Sequence, residues 1–425
     1  MSPYKYREFN VHGKVSDSYW TNWLERKTTR EAATDLLSVV ERSGIRWLCI
    51  ISGYEQVNPI SKGRLVLGHF INLIGAITII RGFFVVALPY DYVQIALGDL
   101  FIGSPVHEIQ NMLITMLLTL SCGLKYCGFS AERRGPIQVL KLYHRLRSTK
   151  FDHKQFMLTP DDCSSIRKSF FFLSYFYLFV TPLTCLAIAA WLTFAFLINP
   201  INYESLYNIL VIGIWTIVIS SIFTLGSYPT IWLYIQNTMI MSYVSFALNS
   251  NHLHGQLLVK SESKADQQEL FNYFSQQNKI YNFINRSTVD LGQMLSYGII
   301  VVSGVADFTM FVSVFIGTGS DLFNYIIFSV GIMAFTAIVV INILSAFTVV
   351  KVSLCHLVNY QIARRCKLNL STQLKLLATC ERMNVNQIGF TLGGIFTMDS
   401  HTFLLYLLEN AGLMLMFITN FNKSQ

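Results

Sequence analysis

The sequence contains seven apolar runs of membrane-crossing length, and its positive charges lie to one side of them. The runs cover about 65–88, 106–129, 169–198, 206–235, 293–317, 322–350 and 399–421. A helix needs about 20 apolar residues to cross the hydrocarbon of a bilayer. Inside lipid every backbone polar group must be satisfied within its own segment, so each run is expected to be a helix. The expected fold class is all-α: a polytopic membrane protein with seven transmembrane helices. The segment 47–53 (WLCIISG) is too short to span and reads as an interfacial or packed piece. Composition agrees, with 52% hydrophobic residues and only 13% charged, about half the charge of an ordinary soluble domain.

The charge pattern gives the orientation. Ten Lys and Arg precede the first run, nine lie in 130–168, four between the fourth and fifth runs and six between the sixth and seventh. The connections 89–105, 199–205 and 318–321 hold none. Lys and Arg collect on the cytosolic side of short loops, so the N-terminus is expected inside and the C-terminus outside. A net charge of +8 is thereby explained by topology, and no nucleic-acid partner is expected. The start of the chain has no apolar h-region and so no expected cleavable signal. All eight cysteines fall in spans or on the expected inner side, which argues against extracellular disulfides. No ligand-like Cys/His spacing appears, so neither metal nor cofactor is expected. The sequons at Asn285 and Asn369 lie in expected inner loops and are expected to stay unmodified.

Organisation continues beyond the bilayer. The fourth helical pattern runs from Leu206 to about Val244 with one breaker, Pro229, which is expected to kink it rather than end it. Apolar residues then recur at helical spacing: Leu270, Phe274, Tyr281, Ile284 and Leu291, and later Leu370, Leu374 and Leu377. Such faces need partners. Helices four, five and six are therefore expected to extend into the cytosol and form a bundle with a short 370–385 helix. The resulting division is 1–64 cytosolic, 65–235 helices one to four, 236–292 cytosolic extension, 293–350 helices five and six, 351–398 cytosolic segment, 399–421 last helix and 422–425 outer tail.

The end of the chain carries a local pattern: Gly389-Phe390, Gly393-Gly394, Phe396 and Asp399, then Leu413-Met414, five residues and Asn420-Phe421. With the inverted orientation and minimal outer loops, this resembles the invertebrate gustatory receptor family, relatives of the insect odorant receptors. In that family the last helix bears Thr-Tyr, five apolar residues and Gln-Phe, so Leu-Met and Asn are departures here. The resemblance implies a chemosensory receptor of the plasma membrane of sensory neurons. It implies a ligand-gated, non-selective cation channel, formed as a homo- or hetero-tetramer of related subunits. The last helix would line the pore for monovalent and divalent cations, and a small-molecule tastant would open it. Sugar, bitter compound and carbon dioxide all stay open as ligands.

At helical spacing one face of the last run carries Asn410, Met414, Phe417 and Phe421, with Asn420 beside it. By resemblance Asn420 and Phe421 hold the place of the gate, and an apolar ring can close a pore by dewetting. Glu409 falls near the midplane, where ionisable residues usually face a cavity or a partner; packing against neighbouring helices is the competing reading for each of these residues. Asp399 is placed to cap the helix. For the ligand, an outward-facing pocket is expected among the aromatic outer halves of spans three to six. Trp215, Asp307, Phe311 and Tyr325 are its candidate contacts, with Arg81 either facing the ligand or snorkelling outward.

No catalytic motif appears among the patterns that mark hydrolases, metalloproteases or nucleotide-binding enzymes, so an enzyme is not expected. A seven-helix G-protein-coupled receptor remains the first alternative, although it requires the reverse orientation. A transporter of unknown substrate is the second, although no internal repeat is visible.

Overall fold

A computed structural model describes residues 28–56, 61–88, 90–135, 137–156, 158–261, 266–317, 321–385 and 388–422; side chains at 322, 384, 385, 417, 418 and 420–422 lie outside the description. The fold is all-α. In chain order the helices are α1 (Arg30–Arg46), α2 (Lys62–Ala87), α3 (Asp91–Ala96), α4 (His107–Arg134), α5 (Gln138–Ser148), α6 (His153–Phe156), α7 (Pro160–Ile198), α8 (Leu206–Ser261), α9 (Gln267–Phe311), α10 (Asp321–Arg365), α11 (Leu370–Val385) and α12 (Ser400–Asn422). A π-helical turn, Val312–Ile316, continues α9. Among the described residues, six helices (α2, α4 and α7 to α10) are long and apolar enough to cross a membrane. The seventh expected span is α12, a continuous helix of 23 residues, or about 35 Å at 1.5 Å per residue.

The helix ends follow local chemistry. Thr159 caps α7, accepting from the Asp162 N–H with Pro160 at the first position. Such a proline loses nothing, because its missing N–H has no helical partner anyway. Asp399 caps α12: its carboxylate accepts from the Thr402 N–H at 2.8 Å. The approach to α12 is a two-stranded hairpin, Thr391–Leu392 against Phe396–Thr397. Gly393 and Gly394 form its turn with φ of +59° and +78°, the left-handed region that glycine enters without a Cβ penalty.

In lipid there is no hydrophobic drive between helices, so close approach through small residues must supply the packing. The α2–α4 contact is built this way. Gly68, Gly75 and Gly82, seven residues apart, face Phe129, Cys122 and Thr115, also seven apart and in reverse order. A Cβ at Gly75 would stand 2.9 Å from the Cys122 sulfur, and one at Gly82 would collide with the Thr115 hydroxyl.

The long helices outrun the bilayer. α8 has 56 residues, about 84 Å at the helical rise, and continues through Pro229. Leu270, Phe274, Tyr281, Ile284 and Leu291 are all buried at 1% exposure or less, so the expected apolar face of α9 has its partners. The stripe on α11 does not. Leu370, Leu374 and Leu377 are 72%, 58% and 55% exposed, while Leu376, Thr372 and Thr379 face the chain. The expectation that the leucine stripe packs inside the subunit's own bundle is therefore corrected: α11 joins the bundle through its other side. The segment around 47–56 is packed rather than spanning. The Ile51 and Ser52 N–H groups both donate to the Glu132 carboxylate at the end of α4.

Candidate functional site

Five helices enclose an apolar cavity close to the 89–105 connection. Leu113, Ile114 and Leu117 come from α4, and Ile188, Trp191 and Leu192 from α7. Ile219 and Phe223 come from α8, Thr309 from α9, and Phe323, Ile326, Ile327 and Val330 from α10. The space inside it is small, about 30 Å3, well under the volume of a small-molecule site, so a ligand fits only if the lining side chains move apart. Only Trp191 and Thr309 bring polar side-chain atoms, and the Thr309 hydroxyl is already donated to the Val305 carbonyl at 2.7 Å. The interior therefore offers shape and aromatic surface rather than hydrogen bonds, which suits an apolar or aromatic ligand. Trp191 is the central ring: it stacks on Phe323 at 4.0 Å between centroids and on Phe101 at 5.4 Å.

Phe101 belongs to the loop that covers the site. The connection between α3 and α4 tucks Leu100, Phe101 and Ile102 inward, each 6% exposed or less. The loop is held from three sides. Arg81 donates from Nε to the Leu97 carbonyl and from Nη2 to the Gly98 carbonyl. Asp99 accepts from the Asn111 amide at 2.7 Å and from the Phe101 N–H at 2.9 Å. Asn199 donates to the Leu100 and Ile102 carbonyls at 3.2 and 2.9 Å. Burial pushes the Asp99 carboxyl above its usual range, against the pull of the Asn111 and Phe101 hydrogen bonds.

The five side chains expected at the ligand do not line this cavity. Arg81 neither snorkels nor faces it; the guanidinium is buried, clamps the loop and lies 4.7 Å from the Trp215 ring centre. Trp215 packs between that guanidinium and Gly98, whose φ is +71°. Phe311 is buried and stacks on Phe315. Asp307 is buried in α9 and lies outside the lining. Tyr325 is 72% exposed and outside the lining, although its neighbour Ile326 belongs to it. The residues that do line the site are mostly aliphatic, and no sequence signal separates them from other span residues. Trp191 and Phe323 were legible only as members of an aromatic-rich outer half.

In α12 the expected face divides. Asn410 is buried, accepting from the Ser303 hydroxyl of α9 at 2.5 Å and donating to the Tyr406 carbonyl at 2.7 Å. Met414 is half-buried on the same side, whereas Glu409 is exposed on the free side. Of that face Asn410 therefore packs against the subunit's own helices, and Met414 follows one turn on along the same side. The side chains of Phe417, Asn420 and Phe421 lie outside the described residues. Lys125, unmarked by any motif in the sequence, is a buried lysine within α4 whose Nζ has no hydrogen-bond partner. Among the described residues, no three His, Cys, Asp or Glu side chains are grouped to hold a metal ion.

No protein-family model matches the chain, and no curated protein matches it. Among solved structures the chain is similar to the insect olfactory receptor OR5 from Machilis hrabei, at 14% identity and a TM-score of 0.60. That alignment covers 94% of this chain and 97% of the receptor. The same receptor in complex with eugenol aligns at 14% identity and a TM-score of 0.58, over 95% and 98% of the two chains. At this identity the likeness is one of fold: an all-α architecture of long, apolar helices over nearly the full chain.

Proposed function

We propose that this chain is an insect-type chemosensory receptor of the gustatory kind, acting as a ligand-gated, non-selective cation channel in the plasma membrane of sensory neurons. The observation that carries this reading is the covered, apolar cluster of side chains around Trp191. It sits at the outer ends of helices whose fold matches, end to end, a receptor solved with a small aromatic molecule. The one-sided Lys and Arg distribution supports a cytosolic N-terminus and an outer C-terminus. The segments 236–292 and 351–398 then form the cytosolic bundle, and 65–235, 293–350 and 399–421 the membrane domain.

Assembly as a tetramer is supported by α11. Its leucine stripe borders an open groove of about 510 Å3 beside α10, lined by Tyr360, Leu370, Leu374 and Leu377 among others. On the inner side this surface meets water rather than lipid, and an apolar patch there calls for a protein partner. The free face of α12, with Leu408, Glu409, Leu415 and Met416 exposed, is the surface we assign to the pore. Four Glu409 carboxylates around an axis favour cations. Asn420 and Phe421 remain the proposed gate at its outer end, with Phe417 below them.

The test is whole-cell recording from a heterologous cell expressing the chain, screened with sugars, bitter compounds and small aromatic volatiles. A ligand-evoked cation current is expected, and Glu409→Gln should lower cation preference while Phe421→Ala raises basal leak. A C-terminal tag that stains only after permeabilisation, with no evoked current, would overturn the reading in favour of a G-protein-coupled receptor.

A further inference from the structure

Asp307 is 5% exposed, and its Oδ2 has no hydrogen-bond partner. One helical turn before it, on the same face of α9, stands Ser303. Across from Ser303 α12 presents Tyr406 and Asn410. The Tyr406 hydroxyl donates to Ser303 Oγ at 3.2 Å, Ser303 Oγ donates to Asn410 Oδ1 at 2.5 Å, and Asn410 Nδ2 donates to the Tyr406 carbonyl at 2.7 Å. Three donors are thus spent on one another. The strongest acceptor nearby, a carboxylate within electrostatic reach of the Tyr406 phenol, receives none of them.

We propose that α9 and α12 hold one small monovalent cation, of sodium size, between the Asp307 carboxylate and the oxygens of Ser303, Tyr406 and Asn410. A carboxylate removed from water either keeps a proton or needs a counter-charge, and among the described residues no ion pair reaches Asp307. Arg81 is committed to the outer loop. Where α10 meets this stretch of α9 it offers Gly331, in contact with Ala306, Thr309 and Met310. Glu409, the acid of α12, lies on the exposed side. The donor set is all oxygen, which suits a hard cation and not a soft transition metal. One carboxylate balances one positive charge; a divalent ion would leave an uncompensated charge in a dry site. Such an ion would join the fifth helix to the last one just below the level of Thr309 in the cavity.

The inference concerns binding and does not rest on conduction. Its test uses the purified full chain in lipid nanodiscs, with thermal unfolding followed in sodium chloride and in N-methylglucamine chloride at equal ionic strength. Sodium is expected to raise the midpoint saturably, as any ligand of the native state does. Asp307→Asn should abolish that dependence. Ser303→Ala and Asn410→Ala should each raise the half-saturating sodium concentration by about tenfold, the loss of one ligand worth about 1.4 kcal/mol. These two variants carry the test if Asp307→Asn does not fold. Equal midpoints in the two salts overturn the proposal, as does a sodium effect that survives Asp307→Asn or is unshifted in both alanine variants. A sodium-insensitive midpoint that rises on acidification also overturns it, because a proton then occupies the site.

Discussion

At the scale of residues, the outer loop shows how a single buried charge organises a site. The Arg81 guanidinium is a planar fork that spans two successive carbonyls, Leu97 and Gly98, which a lysine ammonium cannot reproduce. Arg81→Ala is expected to cost about 2–5 kcal/mol, because two carbonyls lose charge-assisted bonds. A melting temperature of Arg81→Lys equal to that of the native chain would count against the fork. Asp99 adds a pH dependence. Burial holds its folded pKa above the unfolded value, so the folded chain binds the proton more tightly. Its contribution to stability is then full below the unfolded carboxylate pKa and is lost as pH rises through the folded one. Asp99→Asn keeps the Oδ1 acceptor, so the difference between native and variant melting temperatures is expected to shrink toward acid pH. A constant difference across that range contradicts the assignment. In the cavity, Trp191→Ala removes the ring between Phe101 and Phe323. It should cost about 3–5 kcal/mol and shift the evoked responses toward bulkier ligands.

At the scale of elements, the apolar and polar patterns predicted which segments are helices better than which face each one buries. The fourth helical pattern was readable to about Val244, yet α8 continues to Ser261. The polar run Asn249–Ser250–Asn251 looks like an ending. Tertiary partners keep it helical: Asp162 of α7 accepts from Ser250 and Asn249, and Lys351 of α10 donates to Asn249 at 2.7 Å. On α11 the obvious leucine stripe faces away from the chain, because Thr372, Leu376 and Thr379 are buried instead, Thr379 accepting from Asn278 of α9. Replacing Leu374 and Leu377 together by glutamate should therefore leave the subunit folded and abolish assembly, read as a fall to monomer mass in light scattering. A tetramer that survives both changes would remove α11 from the proposed interface.

At the scale of the whole molecule, the one-sided charge makes a prediction about compartments. Asn285 and Asn369 are expected to carry no glycan in the mature protein, and mass spectrometry of peptides covering both checks it. Asn369 has another occupation: its side chain accepts from the Thr372 N–H at 2.8 Å and caps α11. A glycan at either position means the chain is inserted the other way round, and the pore assignment of α12 falls with it.

The sequence by itself determined the helical class, the positions of the spans, the cap at Asp399 and the side on which charge collects. Hydropathy and charge act residue by residue along the chain, and a helix in lipid satisfies its own backbone without help. Tertiary structure alone decided that Arg81 turns inward, that Asn410 bonds to Ser303 rather than standing free, and that thirteen mostly aliphatic side chains enclose a cavity. A span that is apolar all round carries no local mark to tell a lipid-facing leucine from one lining a cavity. Only the arrangement of its neighbours makes that difference.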